Sequence, residues 1–172
     1  MIDLLKAEIC WVLSNLKQDK INVALLVAEK TNLYQTLSEL LHMSNMTTRY
    51  EVIYLVSFYL KGLEFEQLHQ LLFKHNLLSL LVSSLFFDDP KGLMLNLSIH
   101  TIKGIFKRAH KHYKTPYNHD ISVAFENMLG LDQVEKLLYH PNNSVYKKSL
   151  KFLELYFEKI DPCISQALTA HY

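Results

Sequence analysis

Glycine and proline are scarce in this chain: 172 residues hold four of each. An all-β domain draws heavily on both for its tight turns, so their shortage points away from that class and toward helices. Cysteine is rarer still. Cys10 and Cys163 stand far apart, in no metal-ligand or redox spacing, and read as two free thiols in a reducing compartment. Neither sign of charge dominates, since 18 basic residues face 17 acidic ones, and no global field calls for a nucleic acid or a membrane. Long hydrophobic runs are missing too. The most apolar stretch, Leu77 to Phe87, contains Ser79, Ser83 and Ser84 and falls well short of the roughly 20 residues a membrane span needs. The opening MIDLLKAEICWVL carries Asp3 and Glu8 and no basic leader, unlike a signal peptide. A soluble intracellular protein is expected.

Catalytic signatures are absent as well. There is no phosphate-binding glycine loop, no H-E-x-x-H and no nucleophile elbow. His110 and His112 are two positions apart, and His69 and His75 six, so neither pair shares a helical face suited to a metal. No enzyme, no metal and no other cofactor is expected.

Hydrophobic residues make up 49% of the chain, enough for a substantial core. Their periodicity predicts helices at 3–16, 21–30, 32–43, 47–61, 64–74, 76–87, 91–112, 119–129, 132–140 and 144–160. The breaks fall at SNM (44–46), KGLE (61–64), DDPKG (88–92), KTPYN (114–118) and PNN (141–143). Asp132 with Glu135 has the form of a capping arrangement. Tyr146, Leu150, Leu153, Phe157 and Ile160 form an apolar stripe expected to close the last helix against 132–140.

A repeat runs through these helices. AEICWVLSN (7–15) recurs as YEVIYLVSF (50–58), setting Trp11 and Tyr54 about 43 positions apart, and a degenerate third copy at 97–104 brings His100 to the same place. That period, with one longer helix followed by two shorter ones, predicts an all-α, right-handed armadillo-repeat solenoid. The expected organisation is a single domain over 1–172, with repeats at about 1–45, 46–90 and 91–160 and a tail at 161–172.

On a helical wheel Leu5, Ile9, Val12, Leu13 and Leu16 make the apolar stripe of the first helix. Trp11, the only tryptophan, falls off that stripe beside Glu8, Ser14 and Asn15. An exposed indole can hold the stem and cation of a Lys or Arg side chain, and an Asn amide can both donate to and accept from a peptide backbone. Glu8 would pair with the cation. The plainer alternative is that Trp11 packs against the next repeat and Asn15 caps a loop.

The segment KAEICWVLSNL (6–16) is similar to the third helix of an importin-α repeat, K-E-A-C-W-x-x-S-N-I. GLDQVEKLLYHPNNSVYK (130–147), followed by LELYF (153–157), resembles the C-terminal end of that family, with its G-L-D-x-I-E run, H-E-N, V/I-Y and a helix ending in Y-F. The resemblance implies an adaptor that binds Lys/Arg-rich nuclear-localisation peptides on its concave face and moves between cytoplasm and nucleus. It matches Trp11 and Asn15 to the peptide array and Glu8 to the acid one turn earlier, and Ser14, on the same helical face, is a further peptide-binding candidate. Tyr54 could still support a lysine stem, but Phe58 replaces the backbone-holding Asn, and the third repeat offers only His100 and Gly104. The family's main binding repeats and basic autoinhibitory arm find no match in these residues. A scaffold or transport-receptor-binding module with a decayed peptide site is the competing expectation.

The densest basic run is Lys103, Lys107, Arg108, Lys111 and Lys114, with His110 and His112, at the end of a long helix. Cations are favoured there by the helix dipole alone. An acidic protein partner is the functional alternative, and the resemblance implies contact with a nuclear export receptor through Lys103, Lys107, Arg108 and Lys111. Without interleaved aromatics to stack bases, a nucleic-acid role is not expected.

Overall fold

A computed structural model describes residues 8–10, 32–116 and 118–157. Every regular element among them is helical, and the fold is all-α and armadillo-like. The helices are α1 (Leu33–Met43), α2 (Met46–Leu60), α3 (Phe65–Phe73), α4 (Leu77–Ser84), α5 (Leu93–Tyr113), α6 (Asp120–Asn127), α7 (Gly130–Lys136), a 3-10 turn at Leu137–Tyr139, and α8 (Asn143–Tyr156). Glu8, Ile9 and Cys10 are also helical. Most of the 3–16 helix, the 21–30 helix, Ile160, Cys163 and the tail lie outside the described residues. No described helix is long and apolar enough to cross a membrane.

Polar residues in the sequence breaks start the helices. Asn45 accepts from Thr48 N–H at 3.0 Å and opens α2. Asn142 accepts from Ser144 and Val145 N–H and opens α8. Both meet backbone donors that have no partner within the helix, a contribution of about 1 kcal/mol each. Asp132 is no cap, contrary to expectation: it sits inside α7, whose first turn follows Leu129 and has no side-chain cap. The helix is preceded instead by a left-handed residue, Leu129 at φ 61°.

The DDPKG break is the best-determined junction. Asp89 is buried and accepts from Gly92 N–H at 3.1 Å, Met94 N–H at 2.8 Å and Leu95 N–H at 3.1 Å, satisfying the open end of α5. The HPNN segment locks onto it from the far side of the sequence. His140 accepts at Nδ1 from Asn142 N–H and donates from Nε2 to the Asp89 carbonyl, while the Asn142 amide donates to the Lys91 carbonyl at 2.8 Å. The motif most characteristic of the C-terminal segment is therefore structural.

α5 is the hub, packing against α2, α3, α4, α6 and α8. Its Phe106 is fully buried and meets Phe125 of α6 and Phe152 of α8 edge-on, with ring centroids 5.3 and 5.0 Å away. Rings bring the largest apolar area per residue, so this cluster anchors the C-terminal end of the stack. α8 turns a different stripe to it than expected. Val145, Ser149, Phe152, Leu153 and Tyr156 are buried, whereas Tyr146, Leu150 and Phe157 are only half-buried. The buried face is centred one residue earlier, on Val145, Ser149, Phe152 and Tyr156, which leaves Tyr146 and Leu150 at its edge, and Phe157 lies past the helix end in extended backbone. The first helix also differs: Ile9 is 51% exposed and Cys10 is buried. Cys10 is a free thiol, and burial, with Glu51 nearby, pushes it up to about 11, so it stays protonated and behaves as a small apolar side chain.

Candidate functional site

α2 is buried on most of its circumference by Val52, Ile53, Leu55, Val56, Tyr59 and Leu60. One strip remains accessible, stepping through Glu51, Tyr54, Ser57, Phe58 and Lys61 at helical spacing. α5 lies alongside. Ser57 and Thr101 hydroxyls meet at 2.6 Å, and further along both helices the Arg108 guanidinium donates to the Leu60 carbonyl at 2.7 Å. The contacts advance together along both helices, so the two run in the same direction.

Between them lies an open groove of about 650 Å³. Tyr54 and Phe58 stand on one wall, His100, Lys107 and Lys111 on the other, and Ser57, Thr101 and Gly104 form the floor. Tyr54 is 40% exposed and its ring is stacked with Tyr50 at 6.2 Å. Gly104 leaves real space, since a Cβ there would meet nothing within 4 Å. The site is rigid where it matters, because its walls are long helices joined by hydroxyl and guanidinium bonds rather than loops.

The groove is electrically uneven. Among the described residues none that lines it is acidic, and its α5 end carries Lys107, Arg108 and Lys111. Arg108 is committed inward: it donates to Leu60 and to the Gly104 carbonyl, closing the last turn of α2 as a cation at a helix C-terminus. Burial also lowers its pKa. Lys107 and Lys111 are exposed, with no carboxylate paired to either among the described residues. Lys103 lies outside the groove, and burial, Lys151 of α8 and Lys107 disfavour its charged form. At the other end of the α2 strip, burial and the neighbouring Glu8 raise the pKa of Glu51, so two carboxylates share one neighbourhood.

Of the residues expected to hold a peptide, Glu8 is exposed near Glu51 and Tyr54 stands on the groove wall. Trp11, Ser14 and Asn15 lie outside the described residues. The expected basic surface divides by role, with Arg108 binding the fold together, Lys107 and Lys111 exposed, and Lys103 half-buried. Ser57 and Thr101 were not singled out in the sequence, although Ser57 follows Tyr54 at i+3 and could have been found by following that spacing.

A second cluster joins α3, α5 and α6. His69 Nε2 meets Asp120 Oδ2, and Tyr113 hydrogen-bonds the same carboxylate. Burial opposes ionisation of Asp120, but these bonds and the Ile121 N–H outweigh it and hold its pKa below the usual value. The Tyr113 phenol is pushed up to about 12 by burial and by Asp120. Phe65 stacks on His112 at 4.0 Å beside it. Among the described residues no group of three or more His, Cys, Asp or Glu is placed to hold a metal ion.

Residues 120–169 match the family described as an atypical Arm repeat. The match begins at the first residue of α6 and takes in α7 and α8, the helices that carry the Phe125 and Phe152 side of the ring cluster. It supports placing the chain among armadillo-repeat proteins.

Proposed function

We propose that this armadillo-type chain is a non-catalytic protein-binding module that holds an extended peptide segment in the α2–α5 groove. The groove itself carries the reading: two parallel helices present an exposed aromatic wall over a floor that Gly104 leaves open and that the Ser57–Thr101 hydroxyl pair closes from below. A peptide-display selection against the chain should enrich binders that Tyr54→Ala weakens by about tenfold, roughly 1.4 kcal/mol. Binders indifferent to that substitution would place the docking surface elsewhere.

Within this class we propose a finer reading, a nuclear-import adaptor of the importin-α type. Resemblance at 6–16 and 130–157 supports it, and so does the Glu8–Glu51 neighbourhood next to exposed Tyr54, a setting suited to a lysine side chain. In this reading Glu8, Trp11, Ser14, Asn15 and Tyr54 take a Lys/Arg-rich localisation peptide, and Lys103, Lys107 and Lys111 face an export receptor. A short array binds weakly, about −6 kcal/mol or tens of micromolar. Titrating a localisation peptide into wild type, Trp11→Ala and Asn15→Ala tests it. Equal affinities across the three proteins would remove the array from the site.

A further inference from the structure

We propose that the α5 side of the groove recognises an acidic peptide segment, one rich in Asp and Glu and lying in extended form along Lys107 and Lys111. The inference rests on the peptide-binding reading of the same groove and adds the charge of its occupant.

Three observations carry it. First, among the described residues the lining has only one sign of charge: it includes Lys107, Arg108 and Lys111, and no described carboxylate lines it. Second, Lys107 and Lys111 stand four residues apart on one face of α5 with exposed side chains, and Lys103 and Lys151 continue the positive strip beyond the groove. Like charges held this close repel one another, and an anion laid along them relieves that repulsion. Arg108 cannot supply the relief, because its guanidinium is bonded to Leu60 and Gly104. Third, the floor admits a main chain. Gly104 leaves open space beside the Ser57–Thr101 hydroxyl pair, so carboxylates can reach the lysines while the backbone lies below them. Tyr54 and Phe58 on the opposite wall offer apolar contact to side chains pointing the other way. A nucleic acid would meet the same charge, but the wall aromatics are few, which favours a peptide.

The test uses the full 172-residue chain and fluorescence anisotropy. The probes are a labelled Asp/Glu-rich peptide, its Lys/Arg counterpart, a Ser/Gly peptide and short oligouridine. The acidic peptide should bind, and its affinity should fall as salt is raised through about 0.1 M. It should weaken by about tenfold or more in the double variant Lys107→Glu/Lys111→Glu. Gly104→Leu should abolish binding by filling the floor while leaving the thermal midpoint unchanged or higher, since the site is open and leucine is the better helix former.

Acidic-peptide affinity that is absent, or unchanged in both variants, overturns the inference. If the basic peptide then binds through Tyr54, the peptide-binding module survives and only its charge assignment falls. If no peptide binds, both fall. Oligouridine binding as tight as the acidic peptide, with the same response to the variants, also overturns the inference, because the strip would then be a general polyanion surface.

Discussion

Gly92 is constrained twice, by its backbone conformation and by its neighbour. Its φ of 69° is left-handed, and a Cβ there would come within 2.6 Å of Val145 Cγ2. Val145 is fully buried, so it cannot swing aside. Gly92→Ala should therefore cost about 1–3 kcal/mol, combining backbone strain with overpacking, and urea denaturation reads it directly. Leu129 is the converse case. It holds φ 61° with a side chain that is 55% exposed, so the conformation is unfavourable and the leucine gains little from burial. Leu129→Gly should gain up to about 1 kcal/mol in the same assay. Such positions are not legible in sequence. A leucine before G-L-D looks like part of the apolar pattern, and only the backbone reveals the turn.

At the scale of the element, α6 depends on a titratable cap. His119 accepts from Ser122 N–H at 3.1 Å through Nδ1, and Ser122 Oγ accepts in return from His119 N–H. Protonation of Nδ1 would remove the acceptor. Burial holds the His119 pKa below its ordinary 6.5, with His110 adding to the effect and Asp120 and the Pro116 backbone opposing it. The folded state thus prefers neutral histidine. Stability is complete above the unfolded value and is lost as pH falls from about 6.5 toward the lower folded value. Thermal melts at about pH 7.5 and about pH 5.5 should show a drop in wild type that His119→Asn reduces, since Asn caps without titrating. For the helices, periodicity served well: 32–43, 47–61 and 64–74 each fall within a residue of the observed bounds. It misjudged 76–87 and 144–160, where the apolar pattern runs past Ser84 and Tyr156 although the chain turns there. Apolar residues in a turn pack as well as those in a helix, so the pattern alone carries no stop.

Over the whole molecule, α5 ties the parts together. Phe106 contacts α6 and α8 while the same helix lines the groove with α2. Phe106→Ala should cost about 3–5 kcal/mol. It should lower a single transition seen alike by far-ultraviolet circular dichroism and tyrosine fluorescence, rather than melting the C-terminal end alone. Two separated transitions would show that the repeat matched at 120–169 unfolds on its own. The amino-acid sequence by itself determined the class of fold. Scarce glycine and proline, a helical apolar period and a recurrence of about 43 residues leave a helical repeat stack as the way to bury that much apolar surface. It also marked the HPNN segment and the basic run as distinctive, without their roles. Only the tertiary structure decided those. Asn142 and His140 brace the Asp89 turn across some 50 residues of chain, and Arg108 caps α2 while Lys107, one residue before it, faces the groove. Adjacent residues on a helix point about 100° apart, so which cation is spent inside and which is offered outside depends on the neighbour that covers each face.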